Sequence, residues 1–447
     1  MSKFITAIEI GSSKVKGAIG ILEEDGSLNI TAIEEQPLSL GSVRFGCIVN
    51  VEEVSSKINA VKKLLENNSS VSPRKITGAY IALGGRSLAT HPAESSKTFS
   101  AETEISENII VELRERVRNE RSNTKEVLDV VPVNYIIDGK NVQTPIGTIG
   151  YQIRARYNLV VCDEKNNKTL KIVFDKCKLR ILGGITRILA IDSLLLSKEQ
   201  RELGCILIDF GAETTTVAIY KDNSLRYLSV IPMGSRLITK DIATLLSLSE
   251  DRAENLKINH VNLLSNPNEE IPLEKTLDNI DCDMINNIAR ARASEIISNI
   301  AYQIEQSHIR PEDIKSMILV GKGSRLNGFK ELLQQNINIK IVQSTTNEPI
   351  HSSYNLNIPV SESLDVVAVL AALAQDKHVK DCTEMPIIDI PIETEHKPKQ
   401  KSDLQKRISP EDKKNGNNGT IKNFWGTLMG LMGTDDDGYD SEDLYNE

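Results

Sequence analysis

The chain has 447 residues, with 53 lysines and arginines, 62 aspartates and glutamates, and a formal net charge of −9. This length predicts two or three domains with ample core, and the acidic balance argues against general nucleic-acid binding, which requires a basic face. The six cysteines are scattered without a C-x-x-C pair, which predicts buried thiols in a reducing compartment rather than a disulfide framework or a zinc site. The chain begins without a signal-peptide pattern, and no apolar run approaches the roughly 18 residues of a membrane span. We therefore expect a soluble cytosolic protein, with one reservation that concerns the far end of the chain.

The first half of the chain predicts a sheet that is interrupted by an insertion. Apolar patterning predicts strands at 4–34 (three antiparallel strands), 76–83, 127–133 and 157–162. Apolar residues at helical spacing predict a helix at 52–66. A charged stretch predicts a helix at 107–120, and a Ser- and Leu-rich stretch predicts one at 190–196. Residues 84–165 differ in character from the sequence on either side, so we interpret them as an inserted subdomain.

The second half predicts a second sheet packed with helices. A buried-type strand is predicted at 317–320, and helices are predicted at 239–248, 252–257, 283–306 and 364–374. The last of these helices is nearly all apolar and is expected to lie buried between other layers. After about residue 385 the composition becomes rich in Pro, Lys, Asn and Gly, which predicts a flexible linker and, after a short apolar segment, a disordered acidic tail.

One pattern occurs twice, 200 residues apart. An apolar strand that ends in Glu9 is followed by Gly11, two serines and a lysine, and a second apolar strand that ends in Asp209 is followed by Gly211 and two threonines. Each copy predicts two strands joined by a glycine turn that carries hydroxyls. Two such hairpins facing each other can grip a phosphate chain, because the glycines admit backbone N–H groups, the hydroxyls donate, and the carboxylates can hold a metal ion through water.

The pattern resembles the actin, heat-shock-protein and hexokinase ATPase superfamily, and within it the FtsA family of bacterial cell-division proteins. Besides the two hairpins, the resemblance is carried by the glycine-rich turn at 320–326, the insert segment at 130–147, the segment at 231–257 and the segment at 421–432. It covers approximately residues 4–385 together with the last of these segments.

The resemblance implies an α/β, actin-like two-domain ATPase fold with duplicated mixed sheets and an inserted α+β subdomain. It also implies ATP and Mg²⁺ in the cleft and self-assembly into actin-like filaments. The implied task is to tether the tubulin-like protein FtsZ to the cytoplasmic face of the cell membrane at the division site and to help recruit other divisome proteins. No nucleic-acid partner is implied.

The resemblance also implies domain boundaries. These are 1–83 and 166–202 for the two parts of domain 1, 84–165 for the insert, 203–243 and 309–385 for the two parts of domain 2, 244–308 for its small subdomain, 386–420 for the linker, 421–432 for an amphipathic membrane-targeting helix and 433–447 for the acidic tail.

Site roles follow from the resemblance residue by residue. Phosphate binding is expected from Gly11, Ser12, Ser13, Lys14, Gly211, Thr214 and Thr215. Glu9 and Asp209 would serve Mg²⁺ through water, Glu254 and Lys257 would contact the ribose or base, and Gly321, Gly323 and Ser324 would pack against the nucleoside. The residues alone leave two alternatives open: Lys14 could be a solvated strand lysine, and Glu254 with Lys257 could be a surface ion pair of small value. No catalytic residue is assigned.

Four residues depart from the family pattern. Glu9 stands where Asp is usual, Ala212 and Glu213 stand where glycines are usual, and Lys322 stands where glycine is usual in the adenosine turn. If Glu213 pointed inward it would repel ATP or require an extra cation, and Lys322 would be tolerated if its φ stayed negative. We therefore expect ATP binding with slow or absent hydrolysis.

The apolar residues of the segment at 421–432 form one stripe at helical spacing. They are Ile421, Phe424, Trp425, Leu428, Met429 and Met432. A short helix with two glycines is marginal by itself and requires a surface to fold on, and a membrane interface suits Trp and Phe. The alternative is docking on the protein's own body or on a groove of another protein. The acidic residues that follow would be repelled by anionic lipid, which lysines between 397 and 414 could offset.

Other functions remain open at this point. A small-molecule kinase of the same fold would need a catalytic Asp that the sequence does not identify, and it gives no use to the terminal helix. A pilus-assembly or cell-shape relative would share the ATP core, and a nucleotide-independent adaptor is made credible by Glu9 and Glu213.

Overall fold

The computed structural model describes residues 2–119, 125–265, 282–343, 351–352, 356–376 and 378–385. The predicted linker, terminal helix and acidic tail lie outside the described residues. Within these ranges no helix combines the length and the apolar character that crossing a lipid bilayer requires.

The first half of the chain forms one sheet, its covering helices and the insert. Its strands are β1 (Lys3–Ile10), β2 (Lys14–Leu22), β3 (Leu28–Pro37), β4 (Val43–Arg44), β5 (Cys47–Ile48), β6 (Lys75–Ile76), β7 (Gly78–Leu83), β8 (Ala89–Glu104), β9 (Lys125–Ile137), β10 (Lys140–Val142), β11 (Ile149–Asp163) and β12 (Arg180–Thr186). Its helices are α1 (Val51–Glu66), α2 (Glu107–Asn119), α3 (Glu164–Lys176), α4 (Arg187–Leu195) and α5 (Lys198–Leu203).

The second half contributes the other sheet and the longest helix of the described residues. The strands of this half are β13 (Cys205–Phe210), β14 (Thr215–Lys221), β15 (Ser224–Ile231), β16 (Ser316–Val320), β17 (His351–Ser352) and β18 (Thr383–Glu384). The first four lie in the second sheet, whereas β17 pairs with β3 of the first sheet and β18 pairs with β6. Its helices are α6 (Ser235–Leu245), α7 (Glu250–His260), α8 (Cys282–Gln306), α9 (Phe329–Asn336) and α10 (Leu364–Ala374).

The duplicated hairpin is confirmed down to its register. Ala7 lies opposite Ala18 in the antiparallel pair β1–β2, and Leu207 lies opposite Ala218 in the antiparallel pair β13–β14. Each first strand also has a parallel neighbour on its other side, β7 beside β1 and β16 beside β13. Because parallel strands bring their carboxyl ends to the same edge, both hairpin turns lie at corresponding edges of their sheets.

Several predicted elements are confirmed almost to the residue, including α1, α8 and α10. Other predictions were incomplete. Helix α6 begins at Ser235, four residues before the predicted start, and Ser249 caps α7 one residue before Glu250 by accepting from the N–H of Arg252. The pattern did not predict α3, α5 or α9.

The predicted strands of the insert were too short. Strands β9 and β11 are 13 and 15 residues long, and the 16-residue strand β8 was not predicted at all. The sequence of β8 is mostly polar and exposed, so apolar alternation gives no signal, and its pairing with β11 along most of its length holds it extended. The strands of the insert pair with the second sheet at a bridge between Ala89 and Ser229, and the side chains of Thr90 and Asn158 add hydrogen bonds to the backbone of β15.

Helices α4 and α10 pack against each other and share one core with both sheets. Buried side chains of this core include Ile5 on β1, Ile191 on α4, Leu207 on β13 and Leu370 on α10. The two halves of the protein are therefore joined by a common apolar core, and the expectation that α10 is buried between layers is confirmed.

This shared core generates a stability prediction. Leu370→Ala should lower the free energy of unfolding by about 2–5 kcal/mol, because a fully buried leucine leaves a cavity when it is truncated. Chemical denaturation followed by circular dichroism measures the change. The matched control is Leu203→Ala on α5, where the leucine is 56% exposed and the change should stay within about 0.5 kcal/mol. Equal losses in the two variants would contradict the assignment of α10 to the core.

Candidate functional site

The two hairpin turns face one cleft of about 1170 Å³. Nearly all of the predicted site residues line it: Glu9, Gly11, Ser12, Ser13, Lys14, Asp209, Gly211, Thr214, Glu254, Lys257, Gly321, Gly323 and Ser324. The fold therefore brings together residues that are more than 300 positions apart in the sequence.

The two turns have the same backbone geometry. The Gly11 N–H donates to the Lys14 carbonyl at 3.0 Å, and the Gly211 N–H donates to the Thr214 carbonyl at 2.9 Å. A Cβ atom on Gly11 would lie 3.2 Å from both Glu9 carboxylate oxygens. The absence of a side chain thus allows the turn to pass close to the carboxylate.

Thr215 is placed differently from its neighbours. It is fully buried at the start of β14, and its hydroxyl donates to the Met233 carbonyl at 2.7 Å. This hydroxyl is committed to the connection that leads into α6, because strand alternation turns Thr215 away from the cleft. We therefore remove Thr215 from the residues proposed to bind phosphate. Thr214 remains among them.

Lys14 is tied to the sheet rather than freely solvated. Its ammonium lies 2.5 Å from Glu35 Oε1, and its side chain is 21% exposed. Burial lowers the pKa of Lys14, and the neighbouring Lys322 lowers it further, against the opposing effect of Glu35. Lys322 in turn lies 3.4 Å from Glu362. Two lysines thus border the cleft from opposite halves, and a phosphate chain would meet positive charge from both.

The adenosine-type turn requires glycine at its first position. Gly321 has a φ of +87°, and a Cβ there would lie 2.4 Å from the Phe210 carbonyl oxygen and 2.6 Å from Asp209 Oδ1. Lys322 begins a short 3-10 helix that ends at Arg325 and is not among the residues with positive φ. A lysine is therefore tolerated at this position, because its φ is negative as the sequence analysis required. The Ser324 hydroxyl donates to the Gly321 carbonyl at 2.6 Å and closes the turn.

Glu254 and Lys257 belong to an internal network rather than to a surface pair. Lys257 is 6% exposed, and its ammonium donates to Glu254 Oε2 at 2.7 Å and to the Thr239 hydroxyl at 3.0 Å. The Thr239 hydroxyl also donates to Glu254. Burial lowers the pKa of Lys257, although Glu254 opposes the shift. The network fixes α6 against α7 at the wall of the cleft.

Glu213 does not present a free negative charge to the cleft. Its carboxylate is buried and accepts a hydrogen bond from the Phe45 N–H at 2.7 Å. Arg44 and Arg236 each approach it at 3.4 Å. The residue that looked unfavourable for phosphates therefore connects the 44–45 loop of the first half to the second hairpin turn.

Arg187 was missed by the sequence analysis and lies at the centre of the site. It is the first residue of α4, and its guanidinium lies 2.6 Å from Asp209 Oδ2 and 3.8 Å from Glu9 Oε1. The contact with Asp209 is an ion pair that lacks the alignment of a hydrogen bond. Its position after a strand could have indicated its role. Arg187 directly follows β12, which runs parallel to β7 and β1, so the carboxyl ends of these three strands lie at the same edge of the sheet. The strand itself had not been predicted.

A second ion pair lies beside this cluster. Lys16 on β2 pairs with Asp365 near the start of α10. Burial raises the pKa of Glu9 to about 7, and Asp365 adds to the increase while Arg187 and Lys16 oppose it. Burial would lower the pKa of Lys16, but Asp365 and Glu9 outweigh it, so the net shift is upward. The edge between the halves is a compact, poorly solvated set of alternating charges.

The two carboxylates fit a divalent cation poorly in this arrangement. Mg²⁺ requires near-octahedral oxygens at about 2.0–2.1 Å, several of them water, whereas Arg187 already stands against Asp209 Oδ2. Across the described part of the chain, no group of three or more His, Cys, Asp or Glu side chains could hold a metal ion. The assignment of Glu9 and Asp209 to Mg²⁺ stays a prediction.

A search of the solved structures identifies the fold. The type IV pilus biogenesis complex of PilM and PilN matches with a TM-score of 0.59 at 15% identity, covering 83% of this chain and 97% of that one. The likeness supports the actin-like ATPase fold and nothing about activity.

Sequence comparisons identify the family. The family model "Cell division protein FtsA" matches residues 206–359, and the model "SHS2 domain inserted in FTSA" matches residues 85–161. The "Cell division protein FtsA" of Porphyromonas gingivalis is 28% identical over 343 residues, which are 75% of this chain and 71% of that protein. The protein of the same name from Escherichia coli K12 is 28% identical over 263 residues, 58% of this chain and 60% of that protein. The chain belongs to the FtsA family of cell division proteins.

Proposed function

We propose that this protein is an ATP-binding, actin-like scaffold that links the tubulin-like division protein FtsZ to the cytoplasmic face of the membrane at the division site. The observation that carries the nucleotide part is the pair of hairpin turns with equal backbone geometry on opposite sides of one cleft. The family supports the cell-division part.

The cleft offers suitable groups to a nucleoside triphosphate. Ser12, Ser13 and Thr214 line it with hydroxyls, and Lys14 and Lys322 border it with positive charge. Gly321 and Gly323 also line it, and they let their turn pass close to the Phe210 carbonyl, because a Cβ at either position would meet that oxygen.

The membrane part rests on the sequence. The apolar stripe that contains Trp425 follows a long polar segment, and burial of four large side chains in a membrane interface would contribute on the order of 6–12 kcal/mol before ordering costs. Tethering FtsZ would then require both this segment and the folded body. Filament formation by copies of this chain is proposed from the family alone.

Two glycine-to-alanine variants, one at the cleft and one as a control, test nucleotide binding. Gly321→Ala should weaken ATP binding roughly tenfold or more, because the added methyl group collides with backbone at the adenosine turn. Isothermal titration calorimetry with ATP measures the change. The matched control is Gly26→Ala, which has a similar φ of +85° but open space around the added Cβ. Unchanged ATP affinity in Gly321→Ala would contradict the assignment of this turn to the nucleotide.

The membrane assignment is tested on full-length protein. Trp425→Asp should abolish co-sedimentation with liposomes, since it places a charge in the centre of the apolar stripe. A variant that ends at Asn415 should leave FtsZ of the same organism in the supernatant, whereas the full chain should bring FtsZ into the pellet. If Trp425→Asp pellets like the wild type, the anchor assignment is wrong.

Hydrolysis is expected to be slow. Because Glu9, Glu213 and Lys322 depart from the family pattern at the two hairpin turns and the glycine-rich turn, we expect ATP turnover to stay below roughly 1 per second. Phosphate release measured with and without FtsZ decides this point. A faster turnover would favour an enzyme of the same fold over a scaffold.

A nucleotide-independent adaptor is the second candidate. It is favoured by the contacts of Glu213, which join the two halves through protein groups. Calorimetry separates the two candidates: wild-type protein that takes up no ATP, but still brings FtsZ to liposomes, would be an adaptor.

A further inference from the structure

The two strand-end carboxylates require a positive partner. Glu9 and Asp209 come from equivalent positions of the duplicated hairpin and are 6% and 3% exposed. Both approach the same guanidinium. Charges of like sign in a poorly solvated site destabilise each other unless a cation lies between them. The fold therefore creates a place for a cation whatever its chemical nature.

Arg187 occupies that place. It lies at the start of α4, directly after β12, and its side chain is 21% exposed towards the cleft. Its backbone is fixed by the helix, and α4 packs against α10 in the shared core. The guanidinium is thus held by the fold at the point where the sequence predicted a hydrated metal ion.

The remaining charges near Arg187 are already paired. Asp365 is neutralised by Lys16, so it offers no free carboxylate to a further cation. The three carboxylates of this region thus all have a positive partner, since Arg187 lies between Glu9 and Asp209 and Lys16 pairs with Asp365.

A guanidinium can serve phosphates as well as carboxylates. It carries five N–H donors in a planar fork, and in Arg187 two of its nitrogens face Asp209 and Glu9. Donors that remain on the cleft side can bond to phosphate oxygens, and such charge-assisted bonds are among the strong ones in proteins. Both neighbouring turns bring hydroxyls to the same region.

We propose that Arg187 supplies the positive charge between Glu9, Asp209 and the nucleotide phosphates, so that this protein binds a nucleoside triphosphate without a divalent metal ion. The inference rests on the proposed ATP binding and specifies the charge that stabilises the phosphates. It assigns to Arg187 a direct contact with the nucleotide.

The test is calorimetric titration of the full chain with ATP in two buffers, one with excess MgCl₂ and one with EDTA. Wild-type protein should bind ATP in both buffers. Arg187→Ala should lose roughly tenfold or more in affinity in EDTA, the size expected for a charge-assisted hydrogen bond, and should recover part of the loss in Mg²⁺. Arg187→Lys keeps the positive charge but not the planar fork of donors, so its ATP affinity in EDTA should lie between those of the wild type and Arg187→Ala.

Arg180→Ala is the matched control. Arg180 lies at the other end of the same strand β12, is 64% exposed and pairs with Glu384, so its removal should leave ATP binding in both buffers unchanged. Thermal unfolding of each variant verifies its fold. If Arg187→Ala does not fold, the wild type in the two buffers and Arg187→Lys still decide the question.

Two results would overturn the inference while the proposed function stands. One is wild-type protein that binds ATP in Mg²⁺ but not in EDTA. The other is Arg187→Ala binding as tightly as the wild type in EDTA. Absence of ATP binding by the wild type in both buffers would instead reject the proposed nucleotide site together with the inference.

Discussion

The balance of charge around Arg187 is the constraint on which the site depends. Glu9 and Asp209 reach it from the two halves of the duplicated fold, and α4 carries the arginine between them. Removal of one partner from a buried ion pair typically costs about 3–5 kcal/mol. The pairing therefore links β1, β13 and α4 at the edge where both hairpin turns lie, and it fixes the distance across which the turns face each other.

The departures of this chain from its family form a consistent set. Glu213, which stands in place of a glycine, is neutralised by Arg44 and Arg236, and Lys322, which also stands in place of a glycine, lies beside Glu362. Each new charge thus has a partner from another segment. The two hairpin turns keep the same backbone hydrogen bond, while charged side chains stand where the family pattern led us to expect small residues. These replacements are compatible with a scaffold whose halves are held together by its own ion pairs.

The sequence was sufficient for the repeating and strongly periodic elements. It predicted both hairpins, α8 and α10, because apolar periodicity reflects burial that each segment meets along its whole length. Of the residues that it named for the site, all but Thr215 line the cleft. It did not predict β8, whose polar residues are held extended by pairing with β11 rather than by burial. It counted Thr215 among the phosphate ligands because the paired threonines look equivalent, whereas strand alternation places them on opposite sides.

The sequence by itself determined the family, the duplication and the two turns, since these depend on residues close together in the chain. The tertiary structure alone decided which charges meet. Arg187 contacts Glu9, which lies in the first strand of the chain, and Asp209, which lies in the second half. Lys16 and Asp365 are 349 positions apart. Such pairs produce no periodic pattern in the sequence, because an electrostatic contact depends on the distance between two groups in space. The position of Arg187 between the two strand-end carboxylates could therefore be recognised only once the strands and α4 had been placed together.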